Sequence, residues 1–130
     1  MAEFTGERVV PGRIDTDLWN EHFARYAFAA RLSRRKRVLD AGCGSGVHSA
    51  RLADKGLVVT GVDLDSEMLK VARRRTPSGS FREGDITALP FADGAFDLAI
   101  AVTVFAFLDA DQRMLAAGEL MRVLRPGGRL

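Results

Sequence analysis

The sequence predicts an α/β fold: a doubly wound, mainly parallel, Rossmann-like sheet with helices on both faces. Short apolar runs, two of them rich in β-branched residues, at residues 38–41, 58–63 and 96–103, alternate with segments that have helical spacing. A glycine-rich turn directly follows the first run. The run 96–103 is nearly all apolar, as expected for a central parallel strand that is covered on both faces.

The remaining elements follow from the same pattern. Residues 1–36 are interpreted as an irregular arm and a helix that begins near Asp15 or Thr16 and runs to about residue 32. Residues 37–130 are interpreted as a ligand-binding Rossmann-like domain. Further helices are predicted at about 45–55, 66–75 and 109–124, with a short strand at 81–85.

The end of the sequence carries a separate expectation. A helix that is stopped at residues 125–128 leaves no room for a fifth strand before Leu130, so strand 96–103 is expected to be an edge of the sheet. A long apolar edge strand pairs readily with another chain. The sequence therefore predicts a homodimer or strand exchange at this edge.

Composition excludes several classes of protein. The chain has 130 residues and a formal net charge of +2, which suits one domain and argues against the basic face of a nucleic-acid-binding protein. Its single cysteine, Cys43, excludes an internal disulfide and fits a reducing compartment. No apolar run approaches the roughly 20 residues of a membrane span, and no signal-peptide pattern opens the sequence. A cytoplasmic protein without a membrane partner is therefore expected.

The turn after the first strand is the main candidate site. Gly42, Gly44 and Gly46 have the spacing G-x-G-x-G, which differs from the G-x-G-x-x-G of dinucleotide-binding turns. Asp40 lies two residues before the first of these glycines, where a carboxylate repels a phosphate and attracts a cation. The turn therefore favours a positively charged small molecule, although a tight strand–helix turn of any α/β protein remains the alternative for this motif alone.

Two further acids end predicted strands. Asp63 follows the first glycine of the turn by about 20 residues, where Rossmann-type folds place an acid on ribose hydroxyls. Its two acceptor oxygens suit the two donors of a cis-diol. Asp85 ends the short strand 81–85 in the same way.

Taken together, these motifs resemble the class I S-adenosylmethionine-dependent methyltransferases, in the branch of small-molecule and uncharacterised enzymes. The resemblance runs from about residue 37 to the end, and family members usually continue with further strands, so the chain resembles a C-terminally short member. The matching segments, in order, are VLDAGCGSG at 38–46, GVDLD at 61–65 with Met68 and Leu69, EGDI at 83–86 with LPF at 89–91, FDL at 96–98 and LRPGG at 124–128.

The resemblance implies S-adenosylmethionine as the cofactor and a role for each matching residue. The turn would let the backbone approach the methionine part of the cofactor, with Asp40 and the Ala101 carbonyl near its ammonium. Asp63 would bind the ribose, and Asp85 would accept from the adenine amino group. Tyr26 would close over the cofactor carboxylate, Leu64 and Met68 would lie on either side of the adenine, and the Ile86 N–H would donate to the adenine ring. The implied cofactor-binding residues are therefore Tyr26, Asp40, Gly42, Cys43, Gly44, Gly46, Asp63, Leu64, Met68, Asp85, Ile86 and Ala101.

The resemblance predicts methyl transfer to a small-molecule acceptor. The alternative is a catalytically silent module that binds the cofactor or a protein partner. Many family members carry a His-His pair after the fourth strand, where this sequence has Ala106 and Phe107, so no catalytic residue is assigned. His22 and His48 remain open as bases, and no metal site is predicted. Asp40 and Val47 argue against a nicotinamide-dependent dehydrogenase.

Overall fold

A computed structural model describes residues 36–102 and 104–130. The predicted N-terminal helix, Tyr26 and His22 lie outside the described residues, and the division of the chain after residue 36 stays a prediction. The described elements are β1 (Arg37–Ala41), α1 (Val47–Asp54), β2 (Val58–Asp63), α2 (Ser66–Arg75), β3 (Ser80–Glu83), β4 (Phe96–Ile100), a 3-10 helix (Val104–Phe107), α3 (Ala110–Val123) and β5 (Leu124–Arg129).

All the described strands form one parallel sheet, in the order β3-β2-β1-β4-β5. Successive side chains of a strand point to opposite faces, and the two faces of β1 are both buried. Val38 packs with Leu52 of α1, whereas its neighbour Leu39 belongs to the same core cluster as Leu120 of α3. Helices thus cover both faces, which confirms the predicted fold class.

The second helix starts where the sequence predicts it. The Asp65 carboxylate caps α2 by accepting the backbone N–H groups of Glu67 and Met68 at 3.0 and 3.3 Å. The basic residues of the last turn, Arg73–Arg75, lie where cations complement the helix dipole. This cap fixes the chain direction directly after β2, beside the candidate site.

The expectation that strand 96–103 is an edge of the sheet is wrong. Strand β4 is paired on both sides, because the chain leaves α3 at Leu124 in an extended conformation and forms β5 beside it. The register shifts from Phe96↔Leu124 to Leu98↔Arg129, so β5 contains a bulge at its proline-glycine segment. Pro126 lacks an N–H and Gly127 has φ +82°, and a bulged edge strand accommodates both features. Among the described strands the edges are therefore β3 and β5, and a homodimer stays a prediction.

Ion pairs hold the amino ends of three strands together. The Asp97 carboxylate accepts the Arg37 backbone N–H at 2.8 Å and also binds the Arg37 and Arg125 guanidinium groups. The Arg37 hydrogen bonds are the main reason that the pKa of Asp97 lies far below its ordinary value. This cluster joins β1, β4 and β5 at the end opposite the candidate site.

The described residues contain neither a membrane span nor a metal-binding cluster. None of the helices in 36–102 and 104–130 is long and apolar enough to cross a membrane. The same residues contain no group of His, Cys, Asp and Glu side chains that could hold a metal ion.

Candidate functional site

The glycine-rich turn is fixed to the end of β2 by hydrogen bonds. The backbone N–H groups of Gly42 and Cys43 both donate to the Val62 carbonyl oxygen, at 2.8 and 3.0 Å. The Gly44 N–H donates to the Asp63 carboxylate at 2.8 Å, and the Gly46 N–H donates to the Cys43 carbonyl. A phosphate site needs such N–H groups to be free to bind the ligand. Their use within the protein agrees with the prediction that this turn does not bind a pyrophosphate.

Asp63 links the turn to the start of α2. One oxygen of its carboxylate accepts the Gly44 N–H and the other accepts the Asp65 N–H at 2.9 Å. An ionised carboxylate has about four lone-pair positions, so each oxygen of Asp63 retains one for a further donor. The side chain is therefore held in place and can still accept a ligand's hydroxyl groups.

Asp40 is the buried acid of the site. It is only 2% exposed, and its carboxylate accepts the Ser49 hydroxyl at 2.7 Å. Burial raises its pKa to about 7, the Ser49 hydrogen bond opposes this rise, and the negative charge of Asp63 adds to it. Among the described residues, no Lys or Arg forms an ion pair with Asp40. The ionised form therefore lacks a cationic partner within this part of the chain.

Cys43 is a packing residue of the turn. Its side chain contacts the small core formed by Leu69, Ala72 and Phe81. Burial, together with the nearby charges of Asp40 and Asp63, raises the pKa of its thiol to about 12. The thiol stays protonated at neutral pH, so Cys43 is not an activated nucleophile. The predicted contact of Cys43 with the cofactor stays a prediction.

The three glycines of the turn differ in what surrounds them. An added Cβ would lie 2.8 Å from Val104 at Gly42 and 2.9 Å from Ala72 at Gly46, so protein atoms fill those spaces. At Gly44 it would meet no atom of the described residues within 4 Å. A side chain at Gly42 or Gly46 would therefore collide with the protein itself. Of the three glycines, Gly44 alone borders space that the described residues leave open.

The predicted purine-binding residues follow the ends of β2 and β3, which are neighbours in the sheet. Leu64 and Met68 are 66% and 40% exposed. Strand β3 ends at Glu83, two residues earlier than predicted, so Asp85 lies in the following turn. Its Oδ1 accepts both the backbone N–H and the hydroxyl of Thr87, which lower its pKa. Ile86 is buried, at 6% exposure.

The remaining predicted contact, Ala101, follows β4 directly and is half-buried. Since parallel strands all end at the same edge of a sheet, the predicted residues after β1, β2, β3 and β4 share one edge. Ligands of open α/β sheets bind at that edge. The topology thus brings together the sequence-predicted positions that lie within the described residues.

The model of a methyltransferase-domain family matches residues 38–128. The chain belongs to the class I S-adenosylmethionine-dependent methyltransferases. The matched range includes the turn, the ends of β1 to β4, and all of α3. Membership confirms the predicted family, and S-adenosylmethionine is the cofactor of that family.

Similar proteins include two curated relatives and a solved structure. A demethylmenaquinone methyltransferase of Renibacterium salmoninarum is 46% identical over 96 residues, which cover 73% of this chain and 39% of the relative. A malonyl-[acyl-carrier protein] O-methyltransferase of Enterobacter lignolyticus is 43% identical over 104 residues, covering 78% and 41%. The structure of S-adenosylmethionine-bound CalS10, an amino pentose methyltransferase from Micromonospora echinaspora, matches with a TM-score of 0.74 and 31% identity, covering 85% of this chain and 48% of CalS10. The chain thus spans about two fifths of the length of these curated relatives.

Two site residues of this methyltransferase-family chain were missed by the sequence reasoning. Ser49 faces Asp40 because α1 packs its inner side on β1, and the only sequence signal is a small polar residue one turn before the buried Leu52. Val104 packs against Gly42 from the segment after β4, and no local pattern links these two positions.

Proposed function

We propose that this chain binds S-adenosylmethionine at the carboxyl ends of its strands and transfers the methyl group to a small-molecule acceptor. The observation that carries the proposal is Asp40, a buried carboxylate without a cationic partner among the described residues. It lies two residues before a turn in which the N–H groups of Gly42, Cys43, Gly44 and Gly46 are already used. A ligand that carries an ammonium and a sulfonium supplies the missing positive charge.

The methionine part of the cofactor is assigned to the space beside Gly44. An alanine or larger residue would project into that space, so glycine keeps it open for close approach of the ligand. Asp40 attracts the ammonium, and the Ala101 carbonyl is assigned as a second acceptor for it. Gly42, Cys43 and Gly46 shape the turn, and no contact between the Cys43 side chain and the cofactor is assigned.

The nucleoside part is assigned to the ends of β2 and β3. Asp63 accepts the two ribose hydroxyls with the lone pairs that the Gly44 and Asp65 N–H groups leave unused. The exposed side chains of Leu64 and Met68 cover the two faces of the adenine. Asp85 accepts from the adenine amino group, and the Ile86 N–H donates to the ring.

When bound, S-adenosylmethionine supplies a methyl group on a positively charged sulfur, which is a good leaving group. The residues of this chain then need only to orient the cofactor and exclude water, and orientation alone contributes up to about 7–11 kcal/mol in the best cases. The described segment after β4, Val104–Phe107, consists of apolar residues and offers no acid or base. We therefore assign no catalytic residue.

A small-molecule acceptor is favoured over a nucleic acid. The net charge of +2 does not provide the basic face that nucleic-acid binding requires. The named acceptors of the two curated relatives, demethylmenaquinone and a malonyl group on acyl-carrier protein, are not nucleic acids either. The identity of the acceptor and the methylated atom are left to experiment.

A catalytically silent module that binds the cofactor or a protein partner is the second candidate. The apolar Val104–Phe107 segment favours it, since this part of the described chain offers no acid or base. Turnover separates an enzyme from a silent cofactor-binding module, because both bind S-adenosylmethionine.

Calorimetric titration with S-adenosylmethionine and S-adenosylhomocysteine tests cofactor binding, and a methyl-transfer assay with a panel of small metabolites then tests turnover. Asp63→Ala is expected to weaken cofactor binding by ~1–3 kcal/mol, because two hydrogen bonds to the ribose are lost. Asp54→Ala, an exposed position at the end of α1, serves as the matched control. Wild-type protein that produces no binding signal refutes the proposal, and unchanged affinity in Asp63→Ala refutes the ribose assignment.

A further inference from the structure

The connection between β3 and β4 is held by side chains of α3. No helix forms in residues 84–95, so the backbone groups of this segment need partners from elsewhere. The Leu89 N–H donates to Glu119 Oε1 at 2.7 Å, and the Leu89 carbonyl accepts from Arg122 at 3.0 Å. Both backbone groups of one loop residue are thus bound by two side chains that are three positions apart on α3.

Arg122 uses every donor of its guanidinium in this arrangement. Two N–H groups bind the Glu119 carboxylate at 2.8 and 3.0 Å, and the others bind the carbonyls of Leu89 and Phe91 and the carboxylate of Asp93, at 2.8 to 3.0 Å. An arginine has five such donors in a fixed plane, whereas a lysine has three on one mobile nitrogen. The geometry therefore depends on arginine rather than on positive charge alone.

The Glu119–Arg122 pair is partly shielded from water, with side-chain exposures of 21% and 32%. The hydrogen bonds from Arg122 are the main reason that the pKa of Glu119 is lowered, so the carboxylate stays ionised at neutral pH. The Gly94 N–H donates to the Arg122 carbonyl at 2.9 Å, and this extends the attachment along the segment. Residues 89–94 are thus fixed to α3 by a charged pair together with backbone hydrogen bonds.

The proposed adenine contacts, Asp85 and Ile86, lie just before Leu89 in the connection between β3 and β4. The Ala88 N–H donates to the Asp85 carbonyl at 3.0 Å, so residues 85–88 form a closed turn that leads directly into Leu89. The side chains of Ile86 and Leu89 are buried in the core cluster that also contains Leu120. A displacement of Leu89 is therefore transmitted to Ile86 and Asp85 through both the turn and the core.

We propose that Glu119 and Arg122 are positioning residues for the purine end of the cofactor site: by holding Leu89, they set the location of Asp85 and the Ile86 N–H. This inference rests on the proposed function, because it concerns the same site. It adds a role for two residues of α3.

Hydrogen exchange of the free protein tests the structural half of this inference without any cofactor. Arg122→Lys keeps the charge but cannot reproduce the five bonds, so the Ala88 and Leu89 amides should exchange at least about tenfold faster, the effect of losing one ordinary hydrogen bond. Arg74→Lys, an exposed position on α2, should leave them unchanged. Equal exchange rates in wild type and Arg122→Lys would overturn the inference.

Purine discrimination tests the functional half. Wild-type protein should prefer S-adenosylhomocysteine over its 6-oxo (inosine) analogue by about tenfold, because only the amino group donates to Asp85. In Arg122→Lys this preference should fall below about threefold, because Asp85 and Ile86 are no longer held in place. An equal loss of affinity for both ligands indicates general destabilisation and overturns the positioning role.

A second variant keeps the test decisive if Arg122→Lys does not fold. Glu119→Gln retains an acceptor for the Leu89 N–H but loses the charge that holds Arg122, so the preference should fall in the same direction by a smaller factor. An unchanged preference in Glu119→Gln contradicts the inference. Wild-type protein that binds neither ligand refutes the proposed function instead, whereas normal wild-type binding with unchanged variants refutes only the role of this pair.

Discussion

Replacing Asp40 by asparagine is expected to stabilise the free protein and to weaken cofactor binding. The carboxylate is buried, accepts one hydroxyl hydrogen bond from Ser49, and has no Lys or Arg partner among the described residues. Asparagine has nearly the same shape, and its carbonyl oxygen can still accept from Ser49. The substitution therefore removes the charge while it keeps most of the packing.

The effect on stability follows from the pKa of Asp40, which burial raises from 3.8 to about 7. Because the folded state holds the proton more tightly, the contribution of Asp40 to stability is fully present below pH ~4 and is lost as the pH rises to ~7. At about 1.4 kcal/mol per pH unit, the loss reaches roughly 4 kcal/mol at pH 8. Unpaired amide hydrogens of the asparagine offset part of this, so Asp40→Asn should raise the unfolding free energy at pH 8 by about 1–4 kcal/mol.

The effect on binding has the opposite sign. Hydrogen bonds to a charged group contribute ~1.5–3 kcal/mol, so loss of the carboxylate charge should weaken S-adenosylhomocysteine binding about 10- to 150-fold. Wild-type affinity should increase between pH 5.5 and 7, by up to about tenfold per pH unit, as the carboxyl of Asp40 ionises. The ligand amine stays protonated over this range. Affinity of the variant should not change with pH.

Urea unfolding at pH 5 and 8, together with calorimetric titration at pH 6 and 7, measures both effects. Asp54→Asn, at the exposed end of α1, is the matched control and should change neither quantity. The gain in unfolding free energy from Asp40→Asn should be less than half as large at pH 5 as at pH 8. A variant that is destabilised at pH 8, or that keeps wild-type affinity at both pH values, refutes the reasoning.

Other parts of the structure give further expectations. Gly46→Ala should lower the unfolding free energy by about 2–4 kcal/mol, because φ is +82° and the new Cβ lies 2.9 Å from Ala72, as urea unfolding will measure. Gly44→Ala should cost only the ~1–2 kcal/mol of backbone strain, but it should weaken cofactor binding at least about tenfold because its Cβ enters the space assigned to the ligand. Equal losses of unfolding free energy in Gly44→Ala and Gly46→Ala would contradict this difference. Asp97→Asn should lower the unfolding free energy by about 1–2 kcal/mol at pH 7. The loss should shrink as the pH falls below ~4, because the lowered pKa of Asp97 means that its carboxylate stabilises the fold only while it is ionised. The cofactor affinity of this variant should match that of the wild type in calorimetric titration.

Much of the fold could be predicted from local patterns in the sequence. Strand β2 has the predicted bounds, and α2 begins and ends as predicted, because β-branched runs and an Asp cap are local signals. Strand β5 could not be predicted, because a proline-glycine segment usually ends an element. Only pairing with β4, through a bulge, makes it part of the sheet.

The site was predictable where it depends on strand order and not where it depends on packing. The closeness of the turn to Asp63 follows from the adjacency of β1 and β2, and the structure places the Gly44 N–H 2.8 Å from the Asp63 carboxylate. The contact between Ser49 and Asp40 depends on the rotation of α1 against the sheet, which the sequence does not encode locally. Glu119 and Arg122 have the spacing of an ordinary surface pair on a helix, and only the fold brings Leu89 to them.

The most direct test of the central claim is a crystal structure of the protein with S-adenosylhomocysteine. The ribose hydroxyls are expected within about 3 Å of the Asp63 carboxylate, and the amino-acid part is expected beside Gly44 on the Asp40 side of the turn. A ligand bound elsewhere, with Asp63 contacted only by the Gly44 and Asp65 N–H groups, would contradict it.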